Sequence, residues 1–141
     1  MDPVLSFEIH EIDFILEQED AVASWILLML SRHQVEVQEI TYVFCSDEYL
    51  LELNREHLDH DYYTDILTFP LSEPGEPLVA DIFISIDRVR ENASAFGASF
   101  RDELHRVMIH GVLHLAGFDD HGEEEARMRD REDEALRLRG F

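Results

Sequence analysis

The chain of 141 residues carries 32 acidic residues against 11 basic ones, all arginine, and its formal net charge of −21 opposes generic binding to nucleic acid because polyanions repel each other. Its length suits one domain, residues 1–141, and its single cysteine, Cys45, cannot form an internal disulfide and is expected to fill the core. The longest apolar run, residues 25–30, is too short to span a bilayer, so we expect a cytoplasmic protein with no membrane partner.

The first half of the chain predicts two strands and two helices. Residues 4–10 alternate between apolar and polar, which indicates an opening strand, and the apolar content of 14–32 favours a long, largely buried helix. The β-branched and aromatic residues of 38–44 are typical of a strand. Ser46 is a suitable N-cap, followed by two acids, for a helix over 47–58.

The second half continues with two further strands, over 66–69 and 79–84. Ser85 can cap a helix that runs to Ala95, and the capping-box pattern that begins at Ser99 starts another helix. From Gly122 onward, acids lead and arginines follow, as in a solvated surface helix. Three pairs there have the i, i+4 spacing of helix-surface salt bridges: Glu123/Arg127, Glu125/Arg129 and Asp133/Arg137.

His110 and His114 stand four residues apart in a segment, 103–116, whose apolar residues recur at helical spacing. Residues four apart lie on the same face of a helix, so the two imidazoles can bind one ion. Gly117 can adopt a left-handed conformation and end the helix, which turns the chain back across that face.

The residues after this turn, Asp119, Asp120 and His121, are all potential metal ligands. Two helical histidines with a third ligand beyond the glycine would leave one coordination position for water. That arrangement is typical of a catalytic zinc site rather than a structural one, and it predicts one Zn²⁺ per chain.

Three segments together resemble the YbeY family of metal-dependent endoribonucleases, the bacterial rRNA maturation factors. The sequence HGVLHLAGFDDH of residues 110–121 is similar to the family signature HGxLHLxGYDH. Leu53-Asn54 followed by TDILTFP at 64–70 resembles LN…TDVLSFP, and ADIFIS at 80–85 resembles GDIxIS. Their order and spacing agree from about Ile40 to the end of the chain.

This resemblance implies a small α+β domain, with a mixed β-sheet packed by helices and a zinc ion held by three histidines. It implies single-strand-specific cleavage in rRNA maturation, including the 3′ end of 16S rRNA, and ribosome quality control. The implied partners are rRNA and ribosomal particles or proteins, with no DNA expected. Thr64 and Asp65 are implied to shape the cleft.

The chain departs from the family pattern at two positions. The last histidine of the signature is replaced by Asp120, and His121 follows one residue later, so we favour His121 as the third ligand with Asp120 as the alternative. Leu58 occupies a position where the family usually has arginine, a side chain suited to holding phosphate. Arg55 and His57 are near it in sequence.

The leading hypothesis is that zinc lowers the pKa of a bound water to about 7 or polarises a phosphoryl oxygen, and so assists phosphodiester cleavage. One alternative is a zinc-stabilised ribosome assembly factor that does not cut RNA. A more remote one is a metallopeptidase, but such enzymes need a glutamate directly after the first histidine, where this chain has Gly111.

Overall fold

A computed structural model describes residues 2–141. Within them lie nine elements, which in chain order are β1 (Val4–Ile9), α1 (Glu19–Arg32), β2 (Val37–Cys45), α2 (Asp47–Leu58), β3 (Ile66–Pro70), β4 (Leu78–Ser85), α3 (Ile86–Phe96), α4 (Phe100–Leu115) and α5 (Glu124–Arg137). No helix in that part of the chain combines the length and the apolar character needed to cross a membrane.

The four strands form one mixed sheet in the order β1-β2-β4-β3. β1, β2 and β4 are parallel, and β3 runs antiparallel to β4 at the edge. The α+β class with a mixed sheet is therefore confirmed. Because β3 starts where β4 ends, the Ser85 amide donates to the Asp65 carbonyl at 2.9 Å, which brings the segment before β3 to the carboxyl end of β4.

Strand side chains alternate between two apolar layers, as the two-residue period of a strand requires. The larger layer packs against α1 and α4 and includes Tyr42, Phe44 and Ile82. The smaller one packs against α2 and contains Cys45, Leu50 and Leu67. Cys45 is fully buried, and this burial raises the pKa of its thiol to about 12, so its predicted role as core filler is confirmed.

The expected start of the first helix at residue 14 is wrong, because α1 begins at Glu19. Gln18 precedes it in a left-handed conformation, with φ of 54°, and makes no side-chain capping bond. Phe14 and Leu16 still pack against the core from an irregular segment. Their apolar character therefore reflects burial rather than helix formation. The first turn of α1 instead contains the acidic residues Glu19 and Asp20, whose negative charge is favourable at the positive end of the helix dipole.

Serine caps set the starts of the three central helices, as the sequence predicts. Each hydroxyl accepts a hydrogen bond from the backbone N–H three residues later, which satisfies one of the free donors of the first turn. The pairs are Ser46 with Tyr49, Ser85 with Arg88, and Ser99 with Asp102.

The C-terminal helix, α5, is present but is less exposed than a solvated surface helix would be. Met128 and Ala135 are buried, and the Trp25 indole donates to the Ala135 carbonyl at 2.8 Å. The three expected i, i+4 pairs are absent from the salt bridges of residues 2–141. Instead Arg127 pairs with Glu124 three residues earlier in α5. Asp133 pairs with Arg106 of α4, because packing of α5 on α4 gives this carboxylate a closer partner.

Candidate metal centre

Helix α4 is held tightly on the sheet on either side of His110. The buried Tyr42 hydroxyl donates to the Met108 carbonyl at 2.8 Å, and burial raises the pKa of this tyrosine, which stays a neutral donor. A Cβ at Gly111 would lie 2.8 Å from Cδ1 of Ile66 in β3. Any side chain directly after His110 would therefore have to displace this terminal methyl, so the close approach of α4 to β3 favours glycine there.

The His110 imidazole is half-buried and is oriented by a buried carboxylate. Its Nδ1 lies 2.7 Å from Oε2 of Glu132 in α5, and Oε1 of the same glutamate accepts from Arg106 at 2.9 Å. The Glu132 hydrogen bond raises the pKa of His110 despite the opposing effect of burial. With Nδ1 occupied, Nε2 is the nitrogen that remains for an ion, as in carboxylate–histidine–metal arrangements.

Asp120 faces that free nitrogen. Gly117, with φ of 102°, turns the chain after α4, and Oδ2 of Asp120 lies 3.3 Å from Nε2 of His110. Two ligands about 2.1 Å from one tetrahedral ion stand roughly 3.4 Å apart, so this pair fits a shared metal. The same separation suits an ion pair when His110 is protonated.

The two other proposed ligands, His114 and His121, are exposed. The side chain of His121 is 87% exposed against 32% for Asp120, and its Nε2 lies 3.5 Å from Asp120 Oδ1. Among residues 2–141, a group of ligand atoms within 4.8 Å of one another comprises Asp119, Asp120 and His121, without either α4 histidine. His114 is not among the residues that line the cleft beside His110, so the structure does not bring the three predicted histidines together.

Of the two cleft candidates, Asp65 lines the cleft beside His110, and Thr64 does not. The cleft has a volume of about 230 Å³. Burial raises the pKa of the Asp65 carboxyl, although the nearby His110 acts in the opposite direction. The Thr64 hydroxyl donates to the Ile66 carbonyl at 3.4 Å and so helps to start β3.

Five charged residues of the cleft wall were not expected there from the sequence. They are Glu103, Arg106, Glu125, Arg129 and Glu132. Glu132 could have been recognised, because Met128 and Ala135 place it on the apolar, buried face of its helix. Burial also raises the pKa of the Glu103 carboxyl, and the negative charge of Asp65 raises it further.

Leu58, at the position where the family usually has arginine, is 41% exposed and does not line the cleft. The two nearby candidates have other partners. Arg55 forms a salt bridge with Asp61, and His57 contacts the Phe69 ring edge-on with centroids 5.9 Å apart. Neither side chain lines the cleft, so neither is placed to bind a phosphate there.

Comparison with known proteins agrees with this fold and motif order. A solution structure of a Thermotoga maritima protein superposes with a TM-score of 0.66 at 25% identity, and it covers 96% of this chain and 88% of that one. Endoribonuclease YbeY of Cytophaga hutchinsonii is 48% identical over 127 residues, or 89% of each chain. The Flavobacterium psychrophilum protein of the same name is 45% identical over 136 residues, or 96% of each chain.

The family profile described as Endoribonuclease YbeY matches residues 5–139, which is nearly the whole chain. The match spans every element from β1 to α5, including the turn that carries Asp120. The chain therefore belongs to the Endoribonuclease YbeY family.

Proposed function

We propose that this protein is a zinc-dependent, single-strand-specific endoribonuclease. It processes rRNA in the cytoplasm, at the 3′ end of 16S rRNA, and takes part in ribosome quality control together with ribosomal particles or proteins. Membership of the Endoribonuclease YbeY family supports the nuclease role. The single structural observation that carries the proposal is the facing pair of His110 and Asp120, 3.3 Å apart in a cleft.

The zinc ligands in this proposal are His110, His114 and one residue of the adjacent pair Asp120 and His121. The position of the Asp120 carboxylate against Nε2 of His110 favours Asp120 as the third ligand, and His121 becomes the alternative. Imidazole nitrogen and carboxylate oxygen are both ordinary zinc donors. Three such ligands leave a position for water or for a phosphate oxygen.

When bound, the zinc ion would supply a water of lowered pKa or polarise the phosphoryl group. The protein's own residues have complementary tasks. Glu132 holds the imidazole of His110 in one orientation through Nδ1, which keeps Nε2 directed at Asp120. Asp65, whose carboxyl has a raised pKa inside the cleft, is placed to hold or release a proton near the reacting phosphate.

Metal content tests the ligand set. We would purify wild type, Asp120→Ala, His121→Ala and His114→Ala without added metal and measure zinc by elemental analysis, with Asp119→Ala as the matched neighbouring control. We expect about one zinc per wild-type chain, loss in Asp120→Ala and His114→Ala, and retention in His121→Ala and Asp119→Ala. Retention in Asp120→Ala with loss in His121→Ala would assign the third ligand to His121.

Cleavage of a labelled single-stranded RNA, compared with its duplex, tests the activity. The product ends identify the nucleophile: a 2′,3′-cyclic phosphate requires attack by the RNA 2′-hydroxyl and excludes direct attack by water. Wild type should cut the single strand in the presence of zinc, and Asp120→Ala should not. Equal cutting of both substrates would contradict single-strand specificity.

The assembly-factor alternative keeps the zinc but omits cleavage. Leu58 at the usual arginine position and the net charge of −21 favour it, because both weaken binding of a phosphate chain. This function predicts co-sedimentation with ribosomal particles that survives His114→Ala, and no RNA cleavage by wild type. A metallopeptidase lacks such support, because Gly111 occupies the position of the general base.

A further inference from the structure

The cleft beside His110 is strongly acidic, although the proposed substrate is a polyanion. Five carboxylates line it: Asp65, Glu103, Asp120, Glu125 and Glu132. Two guanidinium groups, those of Arg106 and Arg129, face them. A phosphate that enters this cleft needs a cation that is not already neutralised by a protein carboxylate.

Arg106 does not meet that need. Its two terminal nitrogens contact Glu132 at 2.9 Å and Asp133 at 2.6 Å, and its side chain is mostly buried. Both ends of the guanidinium fork are therefore occupied by carboxylates. Its role is to support the glutamate that orients His110.

Arg129 is the other guanidinium of the cleft wall. Its side chain is exposed, and it takes part in none of the salt bridges within 4.0 Å among residues 2–141. The pair with Glu125 that their i, i+4 spacing predicts is therefore not formed there. Arg129 lies on the same face of α5 as Glu125 and the buried Glu132, which places it at the rim of the cleft. Its charge reaches Glu103 inside the cleft and acts to lower the pKa of that carboxyl, against the larger effect of burial.

We propose that Arg129 binds a phosphate of the RNA strand as it enters the cleft. This inference rests on the proposed nuclease function and adds a substrate-binding residue to it. A planar guanidinium presents two parallel N–H donors to a phosphate, which suits bidentate binding.

The test compares Arg129→Ala, Arg129→Lys and the matched control Arg127→Ala with wild type. Arg127 lies on the same helix, is exposed and pairs with Glu124 rather than lining the cleft. The probe is a single-stranded oligoribonucleotide with methylated 2′-hydroxyls, and its binding to the zinc-loaded proteins is followed over a salt series. Single-turnover cleavage of the unmethylated RNA and zinc content are measured in parallel.

We expect Arg129→Ala to weaken binding about tenfold at low salt and to reduce the slope of log K against log salt by about 0.7, the value for one phosphate of a single strand. Arg129→Lys should keep the slope and recover part of the affinity, since it keeps the charge but loses the fork. Arg127→Ala should match wild type, and all variants should keep their zinc.

An unchanged slope in Arg129→Ala, an equal loss in Arg127→Ala, or loss of zinc from Arg129→Ala would each overturn the proposal. The same measurements separate failure of the Arg129 assignment from failure of the proposed nuclease function. If wild type neither binds nor cleaves single-stranded RNA, both fail. If wild type does both and Arg129→Ala behaves in the same way, only the assignment of Arg129 fails.

Discussion

His105 and His110 lie five residues apart on α4, and in each the Nδ1 atom contacts a charged side chain. Nδ1 of His105 accepts a hydrogen bond from Arg139 at 2.8 Å, whereas Nδ1 of His110 contacts the carboxylate of Glu132 at 2.7 Å. Five residues correspond to a rotation of about 140° around the helix, so the two rings leave α4 in different directions. One enters the core and the other enters the cleft.

The sign of the charge on the contacting side chain decides the role of each histidine. Burial and the neighbouring Arg139 lower the pKa of His105 to about 4, which keeps it a neutral acceptor packed between Trp25 and Phe141. Glu132 raises the pKa of His110 and leaves its Nε2 directed at Asp120. Histidines that look alike in the sequence thus become a packing residue and a candidate ligand.

Removing the carboxylate partner should have the largest effect. Glu132→Ala leaves Arg106 without its buried partner and should destabilise the fold by about 3–5 kcal/mol. Glu132→Gln keeps the shape but has one acceptor oxygen for both Arg106 and His110 and no charge, so it should mainly lower zinc affinity, by about 10–100-fold. Urea unfolding and competitive zinc titration measure the two effects.

Asp133→Asn is the control for the Glu132 variants, since it also removes a carboxylate from Arg106 but makes no contact with His110. Its zinc affinity should equal that of wild type. If Asp133→Asn loses as much zinc affinity as Glu132→Gln, the effect comes from Arg106 and not from the imidazole.

His105, whose pKa is lowered rather than raised, should make the fold less stable in acid. Its folded-state pKa of about 4 lies below the ordinary value of 6.5, so between these pH values the unfolded chain binds more protons than the folded one. The free energy of unfolding should therefore fall as the pH drops from 6.5 to 4, by up to about 3 kcal/mol from this residue. Denaturant unfolding at several pH values measures it.

His105→Gln isolates that contribution, because glutamine does not titrate and can still accept from Arg139. The difference in unfolding free energy between wild type and His105→Gln should change with pH over this window. A constant difference would mean that His105 does not carry the acid sensitivity.

Gly111→Ala should disturb the His110 side of α4 more than the His105 side. The added Cβ meets Cδ1 of Ile66 at 2.8 Å, and because this methyl is the far end of a flexible side chain, we expect a cost at the low end of the overpacking range, about 1 kcal/mol. Combining it with Ile66→Val, which deletes that methyl group, should recover much of the loss. Thermal and urea unfolding of the double-mutant cycle measure the coupling; additive effects would place the strain elsewhere.

Added salt should have the smallest effect, and it should act alike on wild type, Glu132→Gln and His105→Gln. Salt screens repulsion among exposed charges, which the net charge of −21 makes considerable, but screens buried pairs much less. We expect the thermal midpoint of all three to rise along a salt series. A midpoint that does not rise would mean that repulsion among the surface charges does not limit the stability of the fold.

Local signals explain which parts of the fold were predictable. Ser46, Ser85 and Ser99 each cap a helix where the sequence places them, because a cap depends on residues only three positions apart. The start of α1 was misplaced because burial of Phe14 resembles helical patterning. Pairing of β3 antiparallel to β4 depends on contacts far apart in sequence, which no local pattern specifies.

Local patterns in the chain are enough to specify the secondary structure of the site: His110 and His114 on one helix, a glycine turn after it, and ligand-type residues at 119–121. Tertiary packing then placed Glu132 against Nδ1 of His110, brought Asp120 rather than His121 toward Nε2, and left Arg129 at the cleft rim outside the salt bridges among residues 2–141. The reason is physical. Capping and helical spacing act within one or two turns, whereas the partner of a buried charge is decided by which element packs against it.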